Sequence, residues 1–178
     1  MPELDLPDAL PVRFVFPHAP IRPVTLNGGM RMRAWYDIFQ LGGGPEDEAG
    51  IRESQRLLED LIKRETKPVF LAGFSQGGAI VLQTALRYPQ RLAGVLALST
   101  YLPLSTKASL ERTKENQDIP IFMAHGTHDD IIPISRAKLS REILQQQGYK
   151  VEWHEYPMPH SVCPQEIADI SAFLSKLL

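Results

Sequence analysis

Residues 69–78 read VFLAGFSQGG, and this stretch determines the class of fold that the chain can adopt. The apolar run Val69–Ala72 is short and bounded by turn residues, which is typical of a buried strand. Gln76–Tyr88 has the pattern of a helix that Pro89 ends. Gly73–Gly77, between them, has the pattern G-x-S-x-G, which marks a sharp turn from a strand into a helix. The stretch therefore predicts a strand–helix unit with an exposed serine hydroxyl at its turn.

Ser75 is the candidate nucleophile at this turn. Such a serine sits in a strained backbone conformation, and its surroundings must be small enough for strand and helix to approach closely. We expect Gly73, Gly77 and Gly78 to supply that smallness. The backbone N–H of Gln76, at the helix N-terminus, is expected to face an oxyanion formed at the serine. A random chain of this length contains the pattern roughly one time in twenty, but a strand before it and a helix after it make a chance match far rarer.

The remaining apolar runs predict the rest of an α/β fold. Short runs bounded by turn residues predict buried strands at Val12–Phe16, Val69–Ala72, Gly94–Ser99, Ile119–Ala124 and Val151–Tyr156. Helical patterns predict helices at Glu48–Arg64, Gln76–Tyr88, Ile134–Gln147 and Pro164–Leu178. Because most strands lie between helical segments, we expect a mostly parallel sheet with helices on both faces. The apolar residues of Pro17–Pro45 follow neither the helical nor the strand periodicity, so this segment predicts a long loop over the sheet edge.

Length and composition predict a single domain that spans residues 1–178. The chain has 178 residues, 43% of them hydrophobic, which is enough for one substantial core and too few for two. It carries 19 lysine and arginine residues against 21 acidic residues, for a net charge of −2. This balance excludes the strong basic field that nucleic acid or an anionic membrane surface requires. Nucleic-acid binding is therefore not expected.

Cysteine usage and the absence of targeting signals predict a soluble, cytoplasmic protein. Cys163 is the only cysteine, so the chain can form no intramolecular disulfide and has no thiolate cluster for zinc or an iron–sulfur centre. The segment Met1–Leu10 has neither the basic region nor the apolar region of a secretory signal. No run of about 18 apolar residues occurs, so stable membrane insertion is not expected.

A serine hydroxyl needs a histidine as general base and a carboxylate to orient that histidine. In folds with this turn the order along the chain is Ser, then Asp or Glu, then His. His18 precedes the serine, and His154 lies within the last predicted strand, where a structural role is expected. His160 lies in a short loop after that strand, at the end of the sheet where α/β sites gather. We therefore assign His160 as the base.

Two neighbouring carboxylates compete for the role of the orienting acid. Asp129 and Asp130 both follow the predicted strand Ile119–Ala124, again at its carboxyl end. We choose Asp129. The alternative is that Asp129 caps the helix that begins near Ile134, a role that Asp130 could fill equally well.

Several segments together resemble the carboxylesterase and acyl-protein thioesterase/lysophospholipase family, which has the α/β-hydrolase fold. They are residues 16–20, FPHAP; 23–29, PVTLNGG; 35–38, WYDI; 70–78, FLAGFSQGG; 96–101, LALSTY; 125–129, HGTHD; and 155–160, EYPMPH. The resemblance runs from about Val12 to Leu178. It covers the candidate nucleophile, acid and base.

The resemblance implies hydrolysis of carboxylic esters, often short-chain ones, with thioesters and lysophospholipids cleaved by some members, and without a metal or organic cofactor. It assigns Ser75, Asp129 and His160 to the catalytic triad, and it gives Gln76 an oxyanion hydrogen bond. Trp35 lies in the family's WYD segment, which borders the substrate groove; the alternative is that its ring packs the long loop. The expected partner is a small-molecule ester, and a homodimer is left open.

The chain departs from the family at its start. Family members begin with a strand pair and then a strand ending in His-Gly-Leu-Gly, whose backbone donates the second oxyanion hydrogen bond. Here Met1–Leu4 resembles the end of the family's first helix instead. We therefore expect an N-terminally truncated sheet, in which Val12–Phe16 either pairs directly with Val69–Ala72 or stands away from it.

The sequence leaves three functions open. The main expectation is a serine carboxylesterase that cleaves short-chain acyl esters through an acyl-enzyme. The first alternative is an acyl-protein thioesterase or lysophospholipase, because triad chemistry does not choose the leaving group. The second alternative is a weakly active or inactive fragment that only binds, because the oxyanion strand is missing.

Overall fold

The computed structural model of the chain describes residues 3–6 and 11–178, so the predictions made for Met1–Leu10 fall largely outside it. A small hairpin is followed by an alternation of strands and helices. In chain order the elements are β1 (Ile21–Val24), β2 (Met30–Arg33), α1 (Glu48–Ile62), β3 (Phe70–Phe74), α2 (Gln76–Arg87), β4 (Gly94–Leu98), α3 (Ser105–Glu111), β5 (Ile121–Gly126), α4 (Ile134–Gln146), β6 (Val151–Tyr156) and α5 (Pro164–Ser175).

Strands β3 to β6 form one parallel sheet, in which the spatial order β3-β4-β5-β6 is also the order along the chain. Neighbouring strands are therefore connected by crossovers that contain α2, α3 and α4 in turn. The registers place Phe74 beside Leu98 and Leu98 beside Ala124, so the carboxyl ends of the strands meet at one edge. The mostly parallel sheet predicted from the sequence is confirmed.

Helices cover both faces of the sheet. Successive residues of a strand point to opposite faces, so each strand contributes side chains to two apolar clusters. In β4, Val95 and Ala97 belong to an apolar cluster with residues of α1, α2 and α4, whereas Leu96 belongs to a cluster with α5. In β5, Met123 and Phe122 divide between the two clusters in the same way. Burial on both faces explains why these strands read as continuous apolar runs rather than alternating ones.

The predicted helices α1, α2, α4 and α5 each begin at the predicted residue and end within a few residues of the predicted end. The side chain of Asp47 caps α1 by accepting a hydrogen bond from the N–H of Gly50. The short helix α3 was not predicted, because Ala108 is its buried residue and a single apolar position makes no stripe. In the described part of the chain, no helix combines the length and apolar character needed to cross a membrane.

The prediction of a strand at Val12–Phe16 was wrong. The apolar side chains of this segment are exposed, from 39% for Val12 to 70% for Phe16, and the segment makes no strand pairing. An apolar run forms a strand only where a neighbour accepts its backbone hydrogen bonds. The segment does not pair with β3, which within residues 3–6 and 11–178 is bonded to β4 alone.

Pro17–Pro45 contains a hairpin, which corrects the prediction of a loop without strands. Strands β1 and β2 are antiparallel, with Val24 opposite Met30. Gly28 and Gly29 make the turn with φ values of 64° and 77°, which favour glycine. The sequence of β2, MRMR, does alternate apolar and polar residues, but all four are exposed, so the alternation does not mark a buried face and is too short to stand out.

Candidate active site

Ser75 lies at the turn between β3 and α2. Its φ of 56° and ψ of −123° fall in a region that residues other than glycine rarely occupy. Two hydrogen bonds hold this strained turn. The N–H of Ser75 donates to the carbonyl of Leu98 at 2.9 Å, and the hydroxyl of Thr100 donates to the carbonyl of Ser75 at 2.7 Å. The end of β4 therefore fixes the position of the serine.

Two of the three predicted glycines are needed for space at this turn. A Cβ added at Gly73 would lie 2.3 Å from the backbone of Gly77, and one added at Gly78 would lie 2.6 Å from the side chain of Thr100. A Cβ added at Gly77 would meet only the ring nitrogen of Trp35, at 3.9 Å, which is an ordinary contact. The expectation that Gly77 must be small was therefore wrong, because its backbone and not its side-chain position faces Gly73.

A line of hydrogen bonds joins Ser75 to Asp129 through His160. The Nε2 atom of His160 lies 2.9 Å from Oγ of Ser75, and its Nδ1 atom lies 2.7 Å from Oδ2 of Asp129. Both distances are those of well-formed hydrogen bonds. The structure thus brings together the three residues that the sequence predicted to act together, although they are far apart along the chain.

Close packing at the ends of β5 and β6 aligns the two loops of the site. The N–H of Thr127 donates to the carbonyl of Tyr156 at 2.8 Å, and the N–H of His128 donates to the carbonyl of Met158 at 3.1 Å. A Cβ added at Gly126 would lie 2.3 Å from the carbonyl oxygen of Met158, so glycine permits this approach. The loop that carries the carboxylate and the loop that carries the imidazole are therefore held side by side.

Asp129 is the buried member of the carboxylate pair, with no exposed side-chain surface, whereas Asp130 is exposed. Its Oδ1 accepts hydrogen bonds from the N–H groups of Ile131 at 2.9 Å and Ile132 at 2.8 Å, which leaves Oδ2 for the imidazole. Burial raises the pKa of Asp129, but the hydrogen bonds from His160 and the two N–H groups outweigh it and hold the pKa below its ordinary value. Asp129 therefore remains a carboxylate and also organises its turn.

The arrangement allows a proton to move from the serine to the imidazole while the carboxylate stays charged. A neutral His160 that donates Nδ1–H to Asp129 has Nε2 free to accept the proton of Ser75. The side chain of His160 is 15% exposed, and the ring of Phe74 lies against it with centroids 4.6 Å apart. Ser75 is half-buried, so part of its surface is exposed, while the imidazole is largely shielded.

Three of the other four histidines, His18, His128 and His154, lie away from this line. His154 lies in β6, where its ring stacks on Phe122 with centroids 4.8 Å apart and its Nε2 is 3.2 Å from Glu152. His18 and His128 are exposed. The placement of His154 agrees with the structural role expected for it.

Gln76 is the first residue of α2, so its backbone N–H has no acceptor within the helix. Its side chain accepts a hydrogen bond from the N–H of Trp35 at 2.9 Å and donates one to the carbonyl of Tyr36 at 2.9 Å. The indole of Trp35 packs against the cluster that contains Ile51, in agreement with the packing alternative. In the described structure it is not part of the pocket beside Ser75, so a substrate role for Trp35 stays a prediction.

A pocket of about 60 Å³ opens beside Ser75, between α4 and the loop that precedes α1. The hydroxyls of Tyr36 and Tyr101 are 3.0 Å apart within it. The guanidinium of Arg136 lies 3.3 Å from the centroid of the Tyr101 ring, and it donates to Glu46 at 3.4 Å. Because pockets that enclose whole ligands measure roughly 300–1,000 Å³, this one has room for a reacting group rather than a long chain.

Comparison with known proteins identifies the family. The family model described as phospholipase/carboxylesterase matches residues 6–178, which include the whole site. The chain belongs to the phospholipase/carboxylesterase family. Acyl-protein thioesterase 1 of Mycosarcoma maydis is 43% identical over 188 residues, which cover 94% of this chain and 78% of that protein. Acyl-protein thioesterase 1 of Gibberella zeae is 43% identical over 182 residues, which cover 94% and 77%.

Solved structures of similar proteins confirm the α/β-hydrolase fold of this family member. A variant of Arabidopsis thaliana SOBER1 superposes with a TM-score of 0.92 at 30% identity and covers 98% of this chain and 89% of its own. Zea mays acyl-protein thioesterase 2 superposes with a TM-score of 0.85 at 27% identity, over 95% of this chain and 84% of its own. The family resemblance and the fold predicted from the sequence motifs are both confirmed.

Four pocket residues of this family member were not assigned from the sequence: Tyr36, Glu46, Tyr101 and Arg136. The two tyrosines lie in segments that carried the family resemblance, so a signal was present in the sequence. Arg136 gave no signal, because an arginine near the start of a helix reads as a solvent-facing residue. Its place in the pocket results from tertiary packing against Tyr101.

Proposed function

We propose that this family member is a serine hydrolase that cleaves acyl-protein thioesters through an acyl-enzyme on Ser75. The observation that carries the proposal is the unbroken line of hydrogen bonds from Ser75 through His160 to Asp129. The two relatives at 43% identity, both named acyl-protein thioesterase 1, support the thioester as the substrate. They favour the thioesterase alternative over the carboxylesterase that was the main expectation from the sequence.

Acylation begins when Oγ of Ser75 attacks the carbonyl carbon of the thioester. Nε2 of His160 accepts the hydroxyl proton as the new C–O bond forms. The carboxylate of Asp129 stabilises the resulting imidazolium through the 2.7 Å hydrogen bond to Nδ1. The tetrahedral intermediate then collapses, the C–S bond breaks, and the leaving sulfur receives the proton from His160. The products are an acyl-serine and a free thiol.

Deacylation repeats the sequence with water in place of the serine. His160 accepts a proton from the water as its oxygen attacks the acyl carbon. Collapse of the second intermediate breaks the bond to Oγ of Ser75, which takes the proton back from His160. The carboxylic acid leaves, and the site returns to its starting state.

The negative charge on the carbonyl oxygen requires a hydrogen-bond donor in both steps. We assign this role to the backbone N–H of Gln76. What supports the assignment is its position directly after Ser75, at the first residue of α2, where the N–H has no acceptor within the helix. The side-chain bonds of Gln76 to the backbone of Trp35 and Tyr36 keep this N–H in a fixed position.

Hydrolysis of carboxylic esters is the second candidate function. The same steps cleave an oxygen ester, because Ser75 attacks the acyl carbon in either case and His160 can protonate a leaving oxygen as well as a leaving sulfur. The family description, which includes carboxylesterases, supports this candidate. A thiol leaves more readily than an alcohol since its pKa is about 8.5, so a site with one assigned oxyanion donor is better matched to thioesters.

The test compares two substrates that differ only at the leaving atom: an S-acyl peptide and the matched O-acyl peptide with the same acyl group. Release of thiol or alcohol is measured for the wild type, for Ser75→Ala and for the control Ser175→Ala, whose side chain is exposed at the end of α5. We expect a higher kcat/KM for the thioester, a loss of about 10⁶-fold in kcat for Ser75→Ala, and no change for Ser175→Ala.

The other outcomes separate the alternatives. Preference for the O-acyl peptide would favour the carboxylesterase. Absence of turnover in the folded wild type would favour the binding fragment. Near-normal turnover by a folded Ser75→Ala variant would overturn the assignment of the nucleophile.

A further inference from the structure

His125 is a fully buried histidine that the steps above do not use. It lies near the end of β5, four residues before Asp129, and its side chain has no exposed surface. Its Nε2 atom is 2.8 Å from the carbonyl oxygen of Ile132 and 3.3 Å from Oδ2 of Asp129. Both of these oxygens can only accept hydrogen bonds, so Nε2 must carry the proton.

The contacts of Ile132 connect His125 to the carboxylate. The N–H of Ile132 donates to Oδ1 of Asp129 at 2.8 Å, and its carbonyl accepts the N–H of His125. The segment from Asp129 to Ile132 is therefore held from both sides: the carboxylate binds the N–H, and the imidazole binds the carbonyl. Without the second contact, the carboxylate could rotate together with its turn and carry Oδ2 away from His160.

His125 can hold this turn without competing for the charge of Asp129, because it is neutral. Burial lowers its pKa more than the carbonyl of Ile132 and the carboxylates of Asp129 and Glu155 raise it, and the nearby His160 also lowers it. Its Nδ1 atom has no hydrogen-bond partner in the described structure, so a proton there would be buried and unpaired. The negative charge of Asp129 thus remains available to His160.

We propose that His125 is a positioning residue, which orients the carboxylate of Asp129 toward His160 by donating Nε2–H to the turn that ends at Ile132. The inference rests on the proposed function, since it assigns His125 a part in the same reaction. His125 touches neither Ser75 nor the pocket beside it. Its effect on the rate passes through Asp129.

Two polar substitutions test the role of the Nε2–H group. In His125→Gln the side-chain amide reaches the position of Nε2 and can donate to Ile132, whereas the shorter amide of His125→Asn cannot. We expect His125→Gln to keep most of the wild-type kcat. We expect His125→Asn to lose about 10²-fold in kcat with KM unchanged, the size of effect that a small displacement of a catalytic group produces.

A double substitution separates positioning from a general loss of packing. When Asp129 is already asparagine, the orientation of this side chain no longer supports the imidazolium. His125→Asn should then cause no further loss of kcat in the Asp129→Asn background. Equal losses for His125→Gln and His125→Asn, or a full additional loss in the double variant, would overturn the proposal.

Nitrogen NMR of histidine-labelled wild-type protein tests the proposal even if a His125 variant does not fold. His125 should be neutral at about pH 7 with the proton on Nε2, because burial lowers its pKa. A proton on Nδ1 or a positively charged ring at this pH would contradict the positioning role. The proposed function is judged separately: if Ser75→Ala abolishes turnover but His125→Asn leaves kcat unchanged, only the role of His125 fails.

Discussion

The two halves of the site rest on strands with different surroundings. Strand β5, which leads to Asp129, lies between β4 and β6, and all six of its residues are buried. Strand β3, which leads to Ser75, is bonded to β4 alone in the described part of the chain, and Ala72 and Phe74 on it are exposed. The acid is therefore supported by a strand that is paired on both sides, whereas the strands that lead to the nucleophile and to the base are each paired on one side in the described part of the chain.

The nucleophile is nevertheless held in a strained conformation, so its turn must be fixed by contacts other than strand pairing. The contacts are the hydrogen bonds to Leu98 and from Thr100 and the close approach of Gly73 to the start of α2. We therefore expect substitutions at the two places to affect the rate and the stability differently. Substitutions on the acid–base side lower the rate in a folded protein, whereas substitutions at the nucleophile turn lower the stability as well.

The largest effect is expected for the imidazole on the acid–base side. His160→Ala removes the proposed general base and should lower kcat by about 10⁶-fold without loss of folding, because the imidazole belongs to a loop and to neither apolar cluster of the sheet. His154→Ala is the matched control, since the ring of His154 stacks on Phe122 and contacts Glu152, away from Ser75. Turnover is measured beside thermal unfolding. If His154→Ala were inactive and His160→Ala active, the base would be misassigned.

A smaller loss is expected when the acid is neutralised without a change of size. Asp129→Asn should lower kcat by about 10⁴-fold, because an amide cannot stabilise the imidazolium or select its tautomer. Asp130→Asn should leave kcat near the wild-type value, since Asp130 is exposed. Steady-state kinetics on the two variants compares the neighbouring carboxylates directly. Similar losses for both would show that the buried position of Asp129 does not decide the role.

The elements that could be predicted from the sequence are those buried on both faces. Strands β4 and β5 carry dense apolar patterns, because both faces of the sheet are covered at these strands. The hairpin and α3 were missed since they bury few side chains. The strand predicted at Val12–Phe16 shows the opposite error, because an apolar run does not reveal whether a partner strand lies beside it.

The three residues proposed as catalytic could be picked out because chain order and position at strand ends restrict the choices. The sequence could not separate Asp129 from Asp130 on physical grounds, because the two neighbours differ in burial only in the folded protein. The pocket formed by Tyr101 and Arg136 depends on contacts between distant segments. The role of His125 could not be predicted at all, because the sequence does not show that its side chain binds the carbonyl of Ile132.

At the turn that carries Ser75, replacing glycine by alanine should have different effects on stability at two positions. Gly73→Ala should destabilise the fold by about 1–3 kcal/mol, because the new Cβ would collide with the backbone of Gly77. Gly77→Ala should cost much less, since only the ring nitrogen of Trp35 lies near, at 3.9 Å. Urea unfolding of both variants measures the difference. Equal destabilisation by the two substitutions would contradict the claim that the close approach requires glycine at position 73 and not at position 77.

An effect confined to high pH is expected at Glu166, a fully buried carboxyl in the first turn of α5. Burial raises its pKa from 4.5 to about 7, and the N–H of Cys163 opposes this only in part. The folded protein therefore holds the proton more tightly than the unfolded chain, and the stability that this provides is complete below pH 4.5 and lost as the pH rises through 7.

Glu166→Gln cannot ionise, so it should be more stable than the wild type at pH 8, by on the order of 1–3 kcal/mol, and should show no such gain at pH 4. Glu142→Gln, on the exposed face of α4, is the control and should show no gain at either pH. Thermal unfolding at the two pH values measures both variants. A destabilised Glu166→Gln at pH 8 would mean that the buried group is charged and paired.

In the proposed function, Ser75 forms a covalent acyl-enzyme with the help of His160. The most direct measurement is intact-mass and peptide-mapping mass spectrometry after brief incubation with an S-acyl substrate and acid quenching. We expect one acyl group per chain, on the peptide that contains Ser75, and none in His160→Ala. Acyl transfer to another residue such as Cys163, or turnover of the thioester without any acyl adduct in the presteady state, would contradict it.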